Sequence, residues 1–92
     1  MKFEWNEQKN QLNKNKHGIS FEEAKEIFDD PFQLSKLDCR FNYGEERWIT
    51  IGATKKGHLL VVANLFFSDG NVIRIISARL ANLQEKKYYE TS

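Results

Sequence analysis

Arg47-Trp48-Ile49-Thr50-Ile51, then His58-Leu59-Leu60-Val61-Val62-Ala63-Asn64-Leu65-Phe66-Phe67, then Val72-Ile73-Arg74-Ile75-Ile76-Ser77-Ala78 are three runs dense in β-branched and aromatic residues. Such residues suit a pleated, half-buried surface, and each run has the length of a strand. Thr54-Lys55-Lys56-Gly57 joins the first two and Asp69-Gly70 the last two, both turn-forming sequences. The spacing predicts an antiparallel three-stranded meander. With a four-residue and a two-residue turn, numbering assigns the faces. Arg47, Ile49, Ile51, Leu60, Val62, Asn64, Ile73, Ile75, Ser77 and Arg79 would share one, and Trp48, Val61, Ala63, Leu65, Val72, Arg74 and Ile76 the other. Both faces are largely apolar, so helices or a partner must cover much of each.

Outward from the meander, Gln33 to Asp38 reads as a further strand, followed by a loop over Arg40–Glu46 in which Gly44 permits a turn. Ser20-Phe21-Glu22-Glu23 reads as a capping box opening a second helix, with Phe21, Ala24, Ile27 and Phe28 on one face and a stop at Asp30-Pro31. Asn6 caps a polar first helix ending near Lys16, where His17-Gly18 closes it. Phe3-Glu4-Trp5 alternates like a short strand, and Asn82-Leu83-Gln84-Glu85 opens a last helix through Tyr88 or Tyr89. The expected fold class is α+β: an antiparallel sheet, a C-terminal meander plus shorter N-terminal strands, packed with an N-terminal helical hairpin and a C-terminal helix. One domain over residues 1–92 is expected, since the chain is short and carries no linker or repeat.

At 40% hydrophobic and 29% charged the sequence reads as globular. Its apolar runs are about half the length a bilayer-spanning helix needs, so no membrane association is expected. One cysteine, Cys39, closes no intramolecular disulfide, and with no secretory signal the expected location is the cytoplasm. The net charge of +1 hides an asymmetry. Glu22 to Asp30 holds five acids and one base, whereas Arg47 to Lys87 holds seven bases and two acids. A basic half can steer a polyanion, although solvated charged faces are also ordinary.

Phosphate-cradling glycine loops, zinc-protease helices and nucleophile elbows are absent from the sequence. General acid–base chemistry with cations remains. Cleaving RNA without metal or cofactor needs a base for the 2'-hydroxyl, an acid for the leaving 5'-oxygen and positive charge on the transition state. His17, Glu46, Tyr89 and the arginines could fill these roles. Each has a plainer reading: His17 as a cation at a helix C-terminus, Arg47 and Arg74 as salt-bridge partners of Glu45, Glu46 or Asp38, and Tyr89 as an anchor for the last helix.

Taken in order, Phe3-Glu4-Trp5, Lys16-His17-Gly18-Ile19-Ser20-Phe21-Glu22, Asp30-Pro31, Asp38, Arg40, Tyr43-Gly44-Glu45-x-Arg47, Gly52, Arg74-Ile75-Ile76-Ser77-Ala78-Arg79 and Tyr89-Glu90 resemble the BrnT toxins of type II toxin–antitoxin systems. The sequence departs from that pattern at Asn6, where aspartate is common, and at Ser68-Asp69, where an arginine is common. The resemblance implies a RelE-like fold and a ribonuclease that arrests translation until a BrnA-like, ribbon-helix-helix antitoxin binds, with DNA reached only through that antitoxin. It implies functional positions at Lys16, His17, Glu45, Arg47, Arg74, Arg79 and Tyr89. Together with the chemistry above, the expected catalytic set is His17, Glu46, Arg47, Arg79 and Tyr89, and the expected substrate-binding set is Lys16, Glu45 and Arg74, with no metal. The alternative from a different class is a non-catalytic, degenerate toxin-like module that only binds its antitoxin. Direct DNA binding is the weaker reading, because the second helix is acidic and no basic recognition helix is present.

Overall fold

Asn6 fixes the first helix through its side chain, whose oxygen accepts from Lys9 N at 3.1 Å. In the computed structural model, which describes residues 1–40 and 44–92, that helix is α1 (Glu7–His17), preceded by strand β1 (Lys2–Glu4). Phe41, Asn42 and Tyr43, which belong to the expected loop and to the Tyr-Gly-Glu-x-Arg motif, lie outside the described residues. Gly18 ends α1 at φ 72°, a left-handed conformation, and its N–H reaches Lys14 O.

Only two residues of α1 are buried, and both are asparagines. Asn10 accepts from Phe21 N at 2.8 Å and donates to Glu7 and Glu22. Asn13 donates to Ile19 O and Ala78 O and accepts from Ala78 N. The helix is therefore held by hydrogen bonds to backbone where an apolar stripe would ordinarily hold it.

Ser20 caps α2 (Phe21–Ala24) by accepting from Glu23 N at 3.0 Å, but the expected regular second helix stops after four residues and continues as a 3₁₀ turn over Lys25–Asp29. The Glu23 carboxylate is engaged by His58 Nδ1 at 2.6 Å. Phe21, Ala24, Ile27 and Phe28 are buried as the periodicity predicts. They pack on Leu60, Val62, Ile73, Ile75 and Ala78 in the larger core.

The sheet comprises β1, β2 (Leu34–Leu37), β3 (Trp48–Ala53), β4 (Leu59–Phe67) and β5 (Val72–Leu80), ordered β1-β5-β4-β3-β2. The meander is antiparallel as expected, but β1 lies parallel to β5, so the sheet is mixed. Helix α3 (Leu83–Glu90) crosses the other face, where Ile51, Val61 and Ala81 form a smaller core with Ile49, Leu59 and Tyr89.

Two face assignments made from numbering are corrected. Ala53 pairs with Leu59, which leaves five residues in the β3–β4 connection where four were expected. The extra residue follows from Thr54, whose N–H and O hold both His58 and Gly57 in a wider turn. A one-residue slip moves every side chain to the opposite face, so Thr50 and Gly52, with Val62 and Leu60, face the larger core and Ile49 and Ile51 do not. In β4–β5 the expected register holds from Phe67↔Val72 to Asn64↔Ile75, and then Ala63 pairs with Ser77. Ile76 is thus the additional residue of a bulge, which turns Ser77 and Arg79 away from the face of Ile73 and Ile75. The connection itself is a 3₁₀ turn over Ser68–Gly70, with Asp69 at φ 57°, in place of the expected two-residue hairpin.

Gly52 explains its own identity. A Cβ there would lie 2.8 Å from Ile27 Cβ and 3.0 Å from Ile27 O, so only glycine lets the 3₁₀ turn sit against β3.

Candidate active site

Asn13 holds the β5 backbone at Ala78, and His17 lies one helical turn further along α1. That docking brings the imidazole, half-buried, beside the strand residues that the bulge has turned outward. His17, Ser77 and Arg79 accordingly line one groove of about 640 Å³, together with Lys36, Asp38 and Arg40 from the end of β2 and the residues after it. Ile49, Val61 and Ala63 make the apolar floor.

Arg79 is fixed by Glu85. Its Nη1 and Nη2 each donate to one carboxylate oxygen at 2.8 Å, and Nη1 also donates to Leu80 O at 3.3 Å. A guanidinium has five N–H groups arranged as two forks and an outer hydrogen. Glu85 occupies the end fork, and no described residue fills the side fork of Nε and Nη2. Glu85 also accepts from Asn82 N at 2.9 Å while Asn82 accepts from Glu85 N, so one carboxylate closes the capping box of α3 and clamps Arg79.

The electrostatics follow from this clamp. The bidentate bond to Glu85 holds the Arg79 pKa above its ordinary value against burial and against repulsion from Arg40. Glu85 is held below the usual carboxylate range, first by Arg79, with Asn82 N and the charge of Lys36 adding to it, while burial opposes them. Arg40 is 69% exposed at its side chain and bonds in a bidentate manner to Asp38, whose side chain is only 4% exposed. Two arginines close enough to repel, each oriented by a carboxylate, suit an oxyanion that spans them. Among the described residues no group of three or more His, Cys, Asp or Glu side chains is arranged to hold a metal ion. No helix of the described residues is long and apolar enough to cross a membrane.

The family model for the ribonuclease toxin BrnT of type II toxin–antitoxin systems matches residues 5–85. The chain belongs to the BrnT family. It is a family of ribonuclease toxins whose type II systems pair each toxin with an antitoxin. The fold is also similar to the crystal structure of the Brucella abortus ribonuclease toxin BrnT, with a TM-score of 0.63 at 24% identity, over 89% of this chain and 97% of that one. No curated protein matches.

Of the BrnT positions singled out in the sequence, His17 and Arg79 share the groove, and Lys16 lines a smaller depression that adjoins it. Glu45 and Arg47 face each other, Arg47 Nε donating to Glu45 Oε1 at 3.2 Å just before β3, and Glu46 is exposed beside them. Arg74 sits at the far end of β5, 3.6 Å from Glu4. Tyr89 is outside the groove lining, and its hydroxyl donates to Asp30 Oδ2 at 2.6 Å. Lys36, Ser77 and Glu85 line the groove without having been singled out as site residues. Glu85 had a readable signal as a helix cap, but its pairing with Arg79 depends on the bulge.

Proposed function

We propose that this groove cleaves RNA by metal-independent attack of the 2'-hydroxyl, and that doing so arrests translation. The observation that carries the reading is the convergence of His17 with the open fork of Arg79 in one groove. In this scheme the scissile phosphate rests on Nε and Nη2 of Arg79, with Arg40 and Lys36 adding positive charge as the transition state forms. His17 removes the 2'-hydroxyl proton as the 2'-oxygen attacks phosphorus, the bond from phosphorus to the 5'-oxygen breaks to leave a 2',3'-cyclic phosphate, and the departing 5'-oxygen takes its proton from water. Glu45, Glu46, Arg47 and Arg74 flank the strand, and Lys16 holds it beyond the groove. Tyr89 anchors α3 to Asp30. A BrnA-like antitoxin of ribbon-helix-helix type is the proposed inhibitor, presenting acidic side chains to the cationic groove in the cytoplasm and contacting DNA itself.

The test is cleavage of a short oligoribonucleotide in excess EDTA. Products ending in 2',3'-cyclic phosphate are expected, with cleavage lost when the residue 5' to the cut is 2'-deoxy and in His17→Ala and Arg79→Ala proteins that melt like the wild type. Products with a 3'-hydroxyl, or activity that returns only with magnesium, would overturn the mechanism. A folded protein without any turnover would leave the non-catalytic antitoxin-binding module.

A further inference from the structure

We propose that single-stranded RNA leaves the cleavage groove along the flank of α1 beside Ile76 and Ser77, held by Lys9 and Lys16 with a base lying on Leu12. The inference rests on the groove being an RNA-cleaving site. A second depression, of about 200 Å³, adjoins the groove and shares His17 and Ser77 with it, so the two surfaces are continuous. Its helical wall is Lys9, Leu12, Asn13 and Lys16.

Those positions are three and four residues apart, hence on one face of the helix, and they extend about 10 Å along it at 1.5 Å per residue. That distance exceeds the rise of one stacked nucleotide, about 3.4 Å per strand. Lys16, in the last turn of α1, also suits the negative end of the helix dipole, but the charge of Lys9 and the exposure of Leu12 go unexplained by folding. Neither lysine forms an ion pair among the described residues. Leu12 is 66% exposed and adds nothing to either core, because α1 is docked by Asn10 and Asn13 on the adjoining face. An apolar side chain between two cations at the mouth of a phosphate-binding groove offers alternating contacts for phosphate, base and phosphate. Such contacts take any sequence, since they use the backbone charge and a base face.

The full-length protein is tested as Lys9→Gln and as Lys9→Gln/Leu12→Ala, with a 20-nucleotide RNA and a trinucleotide centred on the same cleavage site. Both residues are exposed, so melting curves should match the wild type. For the 20-mer, KM should rise several-fold at unchanged kcat. The plot of log KM against log salt should lose a slope of about 0.7 for the one phosphate contact removed. The trinucleotide, too short to reach Lys9, should be affected less than twofold. Equal effects on both substrates, or no change in the salt slope, would overturn the track while leaving the ribonuclease reading intact. A wild-type protein that cuts neither RNA would overturn both.

Discussion

Replacing Tyr89 by phenylalanine removes one oxygen and separates an anchoring role from a catalytic one. Asp30 accepts three bonds, from Tyr89 Oη at 2.6 Å, Ala53 N at 2.8 Å and Phe32 N at 2.9 Å. It thereby ties the turn after the 3₁₀ segment to the end of β3 and to α3. A hydrogen bond to a charged group contributes about 1.5–3 kcal/mol, and most when its loss leaves a buried partner unmet. Here Asp30 keeps two amide donors, so the lower end applies, about 1.5 kcal/mol. For a domain of this size that lowers Tm by roughly 6–12 °C.

The same bond sets a pH signature. Burial pushes the Asp30 pKa up, but the bonds from Tyr89, Ala53 and Phe32 outweigh it and leave the carboxyl below its usual 3.8. Tyr89 is pushed from 10.0 to about 12 by that hydrogen bond, with burial and the charge of Asp30 adding to it. A depressed acid stabilises the fold above its unfolded pKa and loses that contribution as pH falls through the folded value. A raised tyrosine stabilises below 10.0 and loses its contribution as pH rises toward about 12. The Tm gap between wild type and Tyr89→Phe should therefore be widest between these limits and close toward both. Calorimetry across that range, with RNA cleavage measured well below both melting points, decides the matter. Cleavage within twofold of wild type is expected. A phenylalanine variant that melts normally and no longer cuts RNA would refute the anchoring argument and return Tyr89 to the chemistry.

Three further outcomes follow from the geometry. Arg79→Lys keeps the charge but loses both forks, so kcat/KM for RNA should fall about 100-fold with little change in Tm, and near-normal activity would mean that the open fork is not used. Gly52→Ala forces a Cβ to within 2.8 Å of Ile27 and should cost about 1–3 kcal/mol in urea denaturation, so an unchanged midpoint would show that β3 and the 3₁₀ turn separate freely. Asn13→Ala leaves Ala78 N, Ala78 O and Ile19 O without their side-chain partner, costing about 3 kcal/mol, and should lower cleavage at temperatures where the protein remains folded because His17 loses its mooring.

The elements were legible where local chemistry settles them. Asn6, Ser20 and Asn82 all cap the helices they introduce, Gly18 ends α1, and the three β-rich runs become β3, β4 and β5. Less legible were features decided by distant partners. Helical periodicity alone gives no reason for the 3₁₀ segment after Ala24, which allows Ile27 to settle on Gly52. The polar character of α1 hid its docking, because a side chain that satisfies backbone groups 65 residues away leaves no apolar stripe to detect. The parallel pairing of β1 with β5 likewise joins the two ends of the sequence and has no turn to announce it.

The candidate site was harder to read than the fold for one definable reason. Its residue types were visible, since a histidine at a helix end and arginines in a basic half suit phosphate chemistry. Their grouping was not, because it depends on single-residue changes of register. Without the bulge at Ile76, Arg79 and Ser77 would share the face of Ile73 and Ile75, which is filled by Phe21, Ile27 and Phe28. Arg79 would then take the place opposite Leu60 that Leu80 now holds, 55% exposed at the rim of that core and turned away from the groove. The inserted residue instead aims the guanidinium at Glu85, which the start of α3 had already placed for its own cap. The same change of direction leaves Ala78 facing the core while its backbone meets Asn13, and Asn13 sets where His17 lies. One bulged residue thus links the arginine, the carboxylate that orients it and the histidine across the groove.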